Sequence, residues 1–168
     1  MGVQAQTSGR CESLRSVASD LSSALEGANQ GLVVVVDRNA HKEWFDEHVP
    51  SLQAGRIKRY KTVETFMHFL EKFAKKKVVR LKLYMLIRIT DVEKLLNEVN
   101  TKAPHCMRCF RGIYVYERCF AGGSTKSIKQ IPESVRNTEN VKMFASVELA
   151  YENAQADLDL ERKALLES

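Results

Sequence analysis

Apolar positions along this chain switch between two periods. "LVVVV", residues 32–36, is apolar throughout, the mark of a strand covered on both faces. Asn39 then offers a cap for a helix running to about Pro50, with Trp44, Phe45, Val49 and Leu52 on one side. "RIKRYK", within residues 55–61, is a short strand bearing charges. Thr62 caps a second helix, whose stripe is Val63, Phe66, Met67, Leu70, Phe73 and Ala74. It ends in Lys75, Lys76 and Lys77, cations that suit the negative end of a helix dipole. Residues 79–89, "VRLKLYMLIRI", predict a long strand. Thr90 with Glu93 forms a capping box for a helix carrying Val92, Leu95, Leu96 and Val99, closed by Pro104. "RGIYVYE" (111–117) and "VKMFA" (141–145) are the fourth and fifth strands. Ser146 caps a last helix with Val147, Ala150, Tyr151, Ala154 and Leu158 on one face.

Strand–helix alternation of this length implies parallel strands joined by right-handed crossovers. The first and third strands are apolar on both faces and belong inside the sheet. "RIKRYK" and "VKMFA" carry charge and belong at its edges. The expected fold is therefore a five-stranded parallel, doubly wound α/β sheet of order 2-1-3-4-5. An additional N-terminal amphipathic helix is expected at residues 11–26, where Leu14, Val17, Ala18, Leu21 and Leu25 share a face before Gly27. Residues 1–10 read as a tail, 11–30 as that helix and a linker, and 31–168 as the α/β domain.

Charge changes the picture more than composition does. Residues 32–145 carry 22 Lys+Arg against 12 Asp+Glu, while 146–168 carry 2 against 6. The middle is basic and the last segment acidic, either as an internal match or as a face for an acidic partner. No run reaches the roughly 18 apolar residues of a membrane helix, and the first 30 residues lack the apolar core of a signal peptide. A cytoplasmic location with no membrane partner is expected. Its four cysteines are too few for a disulfide scaffold.

In that topology ligands bind beyond the carboxyl ends of the first and third strands. The candidates for this crevice are Asp37, Arg38, Asn39, Thr90 and Asp91, with Glu117 nearby. The order of elements and "LVVVVDRNA" resemble the receiver domains of two-component signalling over about residues 31–160. The resemblance implies an acidic pair after the first strand for a divalent metal, a phosphoacceptor Asp ending the third, Ser or Thr after the fourth and Lys after the fifth. Asp37 matches the first acid, but Arg38 stands in the second place. The third strand ends "IRIT" with Asp91 late, Glu117 takes the hydroxyl's place, and Ala145 and Ser146 follow the fifth strand. Phosphotransfer to a carboxylate needs a metal and a cation to offset phosphoryl charge. Arg38 beside Asp37 opposes that, so the resemblance points to a degenerate, non-phosphorylated module. A lone Asp37 has a plainer role, pairing with Arg38 or capping backbone amides.

Three further features compete with structural explanations. "HCMRC" supplies His105, Cys106 and Cys109, with Cys119 beyond, as four possible zinc ligands. The spacing lacks a second paired knuckle, and a redox CxxC belongs at a helix start rather than before a strand. "AGGSTK" places Gly122, Gly123, Ser124, Thr125 and Lys126 as a possible anion loop, without full Walker spacing. Lys72, Lys75, Lys76, Lys77, Arg80 and Lys82 form a basic patch at the amino ends of the strands. Without interleaved exposed aromatics such a run is mostly a solvated face, so nucleic acid is a possible partner but not the favoured one. His41, His48 and His68 receive no role. The expectation is a non-catalytic protein–protein interaction or signalling module without cofactor or metal, binding a protein partner or a second copy of itself within a larger assembly. The alternative is an enzyme or binder of a small molecule or nucleotide phosphate acting through the crevice.

Overall fold

The computed structural model describes residues 31–41, 45, 57–75, 81–118 and 131–167. The amphipathic helix expected at 11–26, most of the helix expected after Asn39, and the loop at 122–126 lie outside the described residues. Five strands, β1 (Leu32–Val36), β2 (Ile57–Tyr60), β3 (Leu83–Arg88), β4 (Phe110–Arg118) and β5 (Val141–Ser146), form one sheet. Its order is β2-β1-β3-β4-β5 and every pairing is parallel. The doubly wound order read from strand charge is the observed one. Lys58 and Arg59 sit on one edge strand and Lys142 on the other.

Side chains alternate across the sheet and build two cores. On one face Leu32, Val34, Val36, Met85, Ile87, Ile113 and Val115 meet helices α1 (Val63–Ala74) and α2 (Val92–Lys102). On the other, Val33, Val35, Tyr84, Leu86, Tyr114 and Tyr116 meet Phe45 and the long helix α3 (Val147–Glu167).

The helix ends show why these segments fold locally. Thr62 caps α1, its hydroxyl accepting from Thr65 N at 3.2 Å while Thr65 Oγ1 accepts from Thr62 N at 3.3 Å. Ser146 caps α3 by accepting from Leu149 N at 3.3 Å. The start of α2 differs from expectation. Its N-cap is Asp91, with no side-chain cap bond, so Thr90 and Glu93 form no capping box. The chain still follows β3 at this point: Ile89 N donates to Tyr116 O, which delays the helix by one residue. At its other end Ala103 N donates to Val99 O at 2.9 Å. Pro104 then opens a 3₁₀ turn, Pro104–Cys109, rather than a simple loop. Strand β3 covers Leu83–Arg88 of the expected 79–89; residues 79 and 80 lie outside the described residues, and Lys82 O still accepts from Leu32 N at 2.9 Å.

Two glycines make room for tyrosines. Gly31 enters β1 at φ +82°, and a Cβ there would lie 2.5 Å from Leu158 and 2.9 Å from the Tyr84 ring. Gly112 lies two residues before Tyr114, whose ring folds back over it. A Cβ at 112 would sit 2.4 Å from the Tyr114 hydroxyl.

Candidate functional site

The turn at the switch between β1 and β3 is built around Asp37, which is fully buried. Its backbone continues the ladder, N donating to Tyr60 O at 3.0 Å, and its carbonyl accepts from Ala40 N at 2.9 Å. Oδ1 accepts from Asn39 N at 2.8 Å, and Oδ2 accepts from the Tyr116 hydroxyl at 2.6 Å. So the amide-capping role holds, and it is joined by a tyrosine from β4. Ala40 O takes a further bond from Arg59 of the edge strand, at 3.1 Å, which pins the turn. Arg38 is exposed and Asn39 half-buried.

Asp91 faces this turn from the start of α2. Burial raises its pKa, and the Asp37 charge raises it further; Arg88, Lys94 and Arg38 act in the opposite direction. Two acids and several cations therefore share one electrostatic neighbourhood at the switch point. Thr90 is exposed at its rim. Glu117 ends up elsewhere: strand alternation turns it to the opposite face from Tyr116, so it does not complete a cluster with Asp37. At the end of β5, Ala145 is exposed and Ser146 is spent on capping α3. Among the described residues no group of three or more His, Cys, Asp and Glu side chains is arranged to hold a metal ion.

The basic patch is divided. Lys72 is exposed on α1 and Lys75 at its C-cap, and Lys76, Lys77 and Arg80 lie outside the described residues. Lys82 does not join them. It lies on the α3 side of the sheet, its Nζ 2.8 Å from Glu161 Oε1. The acidic last helix thus answers part of the basic middle within the molecule. Lys75 also borders an open cleft of about 500 Å³ between the carboxyl ends of α1 and α2, with Glu71, Lys102 and His105. Cations there offset the helix carbonyl dipoles, so the cleft's charge has a structural purpose.

Sequence reasoning missed the polar seam under α3. Tyr84 donates to Glu161, which also meets Lys82 and, at 3.5 Å, Arg111 Nε. Tyr114 donates to Asp157 Oδ2 at 2.6 Å, and Lys142 Nζ reaches the same oxygen at 2.9 Å. Burial, followed by the bond to Asp157, raises the Tyr114 hydroxyl far above its ordinary pKa. Burial acts to raise Asp157 too, but the bonds from Tyr114 and Lys142 outweigh it and leave the carboxyl low. With Tyr116 and Asp37, three buried phenols each serve a carboxylate. The signal was "YVY" with "DLDLE", a polar tip on every second strand residue opposite acids at helical spacing.

Compared with known proteins, the chain matches no family model, no curated protein and no solved structure.

Proposed function

We propose that this domain is a non-catalytic protein–protein interaction module with a degenerate receiver-like build, working in the cytoplasm as part of a larger signalling assembly. One observation carries the reading. The acid at the switch point, Asp37, has no exposed surface, and each of its oxygens accepts a hydrogen bond from within the fold. A carboxylate committed in this way serves the turn rather than a metal or a phosphoryl group. Exposed leucines support the interaction role: Leu149 and Leu160 lie on the outward side of α3, Leu160 at 65% exposure. No helix among the described residues is long and apolar enough to cross a membrane.

The test has two arms. In the first, magnesium with acetyl phosphate or beryllium fluoride is added to the protein and its melting followed. No shift is expected; a magnesium-dependent rise that Asp91→Asn abolishes would favour the alternative, a phosphate-binding site in the crevice. In the second, sedimentation of the protein is compared with Leu149→Glu/Leu160→Glu. A concentration-dependent dimer that the double variant dissociates supports a second copy as partner. Identical monomeric behaviour removes self-association from the proposal.

A further inference from the structure

The 3₁₀ turn between α2 and β4 sets two cysteines three residues apart, at Cys106 and Cys109. In a 3₁₀ helix residues i and i+3 eclipse, and three residues advance about 6 Å. That falls inside the range of about 4.4–6.8 Å that Cα atoms of bridged cysteines span, while the eclipsed Cβ atoms must approach by about 2 Å for the bond to form. Burial raises both thiols, and each lies close enough to the other to influence its charge. Both are free.

Their surroundings differ in a useful way. Cys106 is buried in the core, at 4% exposure, among residues of α2 and β4. Cys109 is half-buried at the end of the turn. Burial leaves its thiol raised, the Arg108 guanidinium, Cys106 and Arg111 offsetting only part of that rise. Cys109 is the more exposed and the less strongly raised of the two, so it meets an oxidant first. Burial pushes the Cys106 thiol up to about 11, which suits a second, resolving thiol that reacts only when its partner is activated. His105, next to Cys106, and Ala103, just before the turn, line the open cleft.

We propose that Cys106 and Cys109 form a reversible intramolecular disulfide, with a small-molecule disulfide such as oxidised glutathione as oxidant. The Cys109 thiolate attacks one glutathione sulfur, and the other glutathione leaves as a thiolate and takes up a proton. Cys106 gives its proton to water and attacks Cys109 Sγ, expelling the second glutathione, which is protonated in turn. Two protein thiols are oxidised to one disulfide, and one glutathione disulfide is reduced to two thiols.

The experiment incubates the full chain across a series of reduced-to-oxidised glutathione ratios, blocks remaining thiols and digests with trypsin. Cleavage after Arg108 separates the two cysteines, so the bridge appears as residues 103–108 joined to 109–111. Expected results are that joined peptide, loss of two hydrogens from the chain mass, and reversal by dithiothreitol. Cys106→Ser, or Cys106→Ala if the serine disturbs the core, should arrest the reaction with glutathione held on Cys109. Cys109→Ser should slow modification of Cys106 at least tenfold. Glutathione persisting on Cys109 of the unaltered chain beside a reduced Cys106 would overturn the proposal, as would a bridge from Cys109 to Cys11 or Cys119.

Discussion

Tyr116→Phe removes one oxygen atom and no packing volume. It strips Asp37 Oδ2 of its 2.6 Å donor in a site with no solvent exposure. Hydrogen bonds to charged groups contribute about 1.5–3 kcal/mol. A loss of about 2 kcal/mol is expected. In a domain of this size that lowers the melting temperature by roughly 4–8 °C. Urea denaturation should show a lower midpoint at unchanged slope, since the surface exposed on unfolding stays the same. Tyr151→Phe is the internal control. Its hydroxyl bonds neutral Gln155 at 3.2 Å, four residues on along the same helix, and its loss should cost about 1 kcal/mol or less. Asp37→Asn keeps the shape and removes the charge, and a double-mutant cycle with Tyr116→Phe should show coupling on the order of 1 kcal/mol or more. If Tyr116→Phe is no more damaging than Tyr151→Phe, Asp37 is not held as described, and the case against a reactive acid at the switch point fails with it.

Gly112→Ala should cost about 1–3 kcal/mol, because its Cβ displaces a Tyr114 ring that is buried and bonded to Asp157; circular dichroism melts of this variant with and without Tyr114→Ala, which should relieve the clash, check it. Thr62→Ala should cost about 1 kcal/mol through loss of the α1 cap, read as a midpoint shift in urea. Alkaline pH gives a signed test. Tyr114 has a folded pKa above its unfolded one, so its contribution is whole below pH about 10 and falls by about 1.4 kcal/mol per unit above it until the folded pKa is passed; Tyr114→Phe should flatten that decline. Asp157 has the opposite sense. Its lowered carboxyl adds stability above the unfolded carboxylate range and loses it as pH falls through the folded value, a limb that Asp157→Asn removes.

The sheet order was legible because burial and charge act on whole strands. Val33 to Val36 and Met85 to Ile87 tolerate no charge on either side, whereas Lys58 and Lys142 need only one open edge. The candidate acids were legible as positions and not as roles. Asp37 could be placed at the end of β1, but its partner Tyr116 is 79 residues away on a strand that does not neighbour β1, and only the assembled register brings them together. The tyrosines passed as apolar because their rings are; each hydroxyl's use depends on which acid stands over it. Lys82 departs from its expected group for a related reason. Proximity in sequence put it with Lys75, while strand parity sent it to the other face and to Glu161. The start of α2 shifted by a residue because a nonlocal backbone bond to β4 outranked a local cap.

Both outer strands have consequences for how this protein meets others. The β2 border is four residues long and includes Lys58 and Arg59; β5 contributes six, with Lys142. Charged side chains on a border deter an incoming ribbon even where, as at Lys142 with Asp157, they are paired, which protects against fibril growth at the concentrations where bare sheets stack. They also discourage recognition by strand addition, leaving helical surfaces as the route by which an assembly containing this domain is extended.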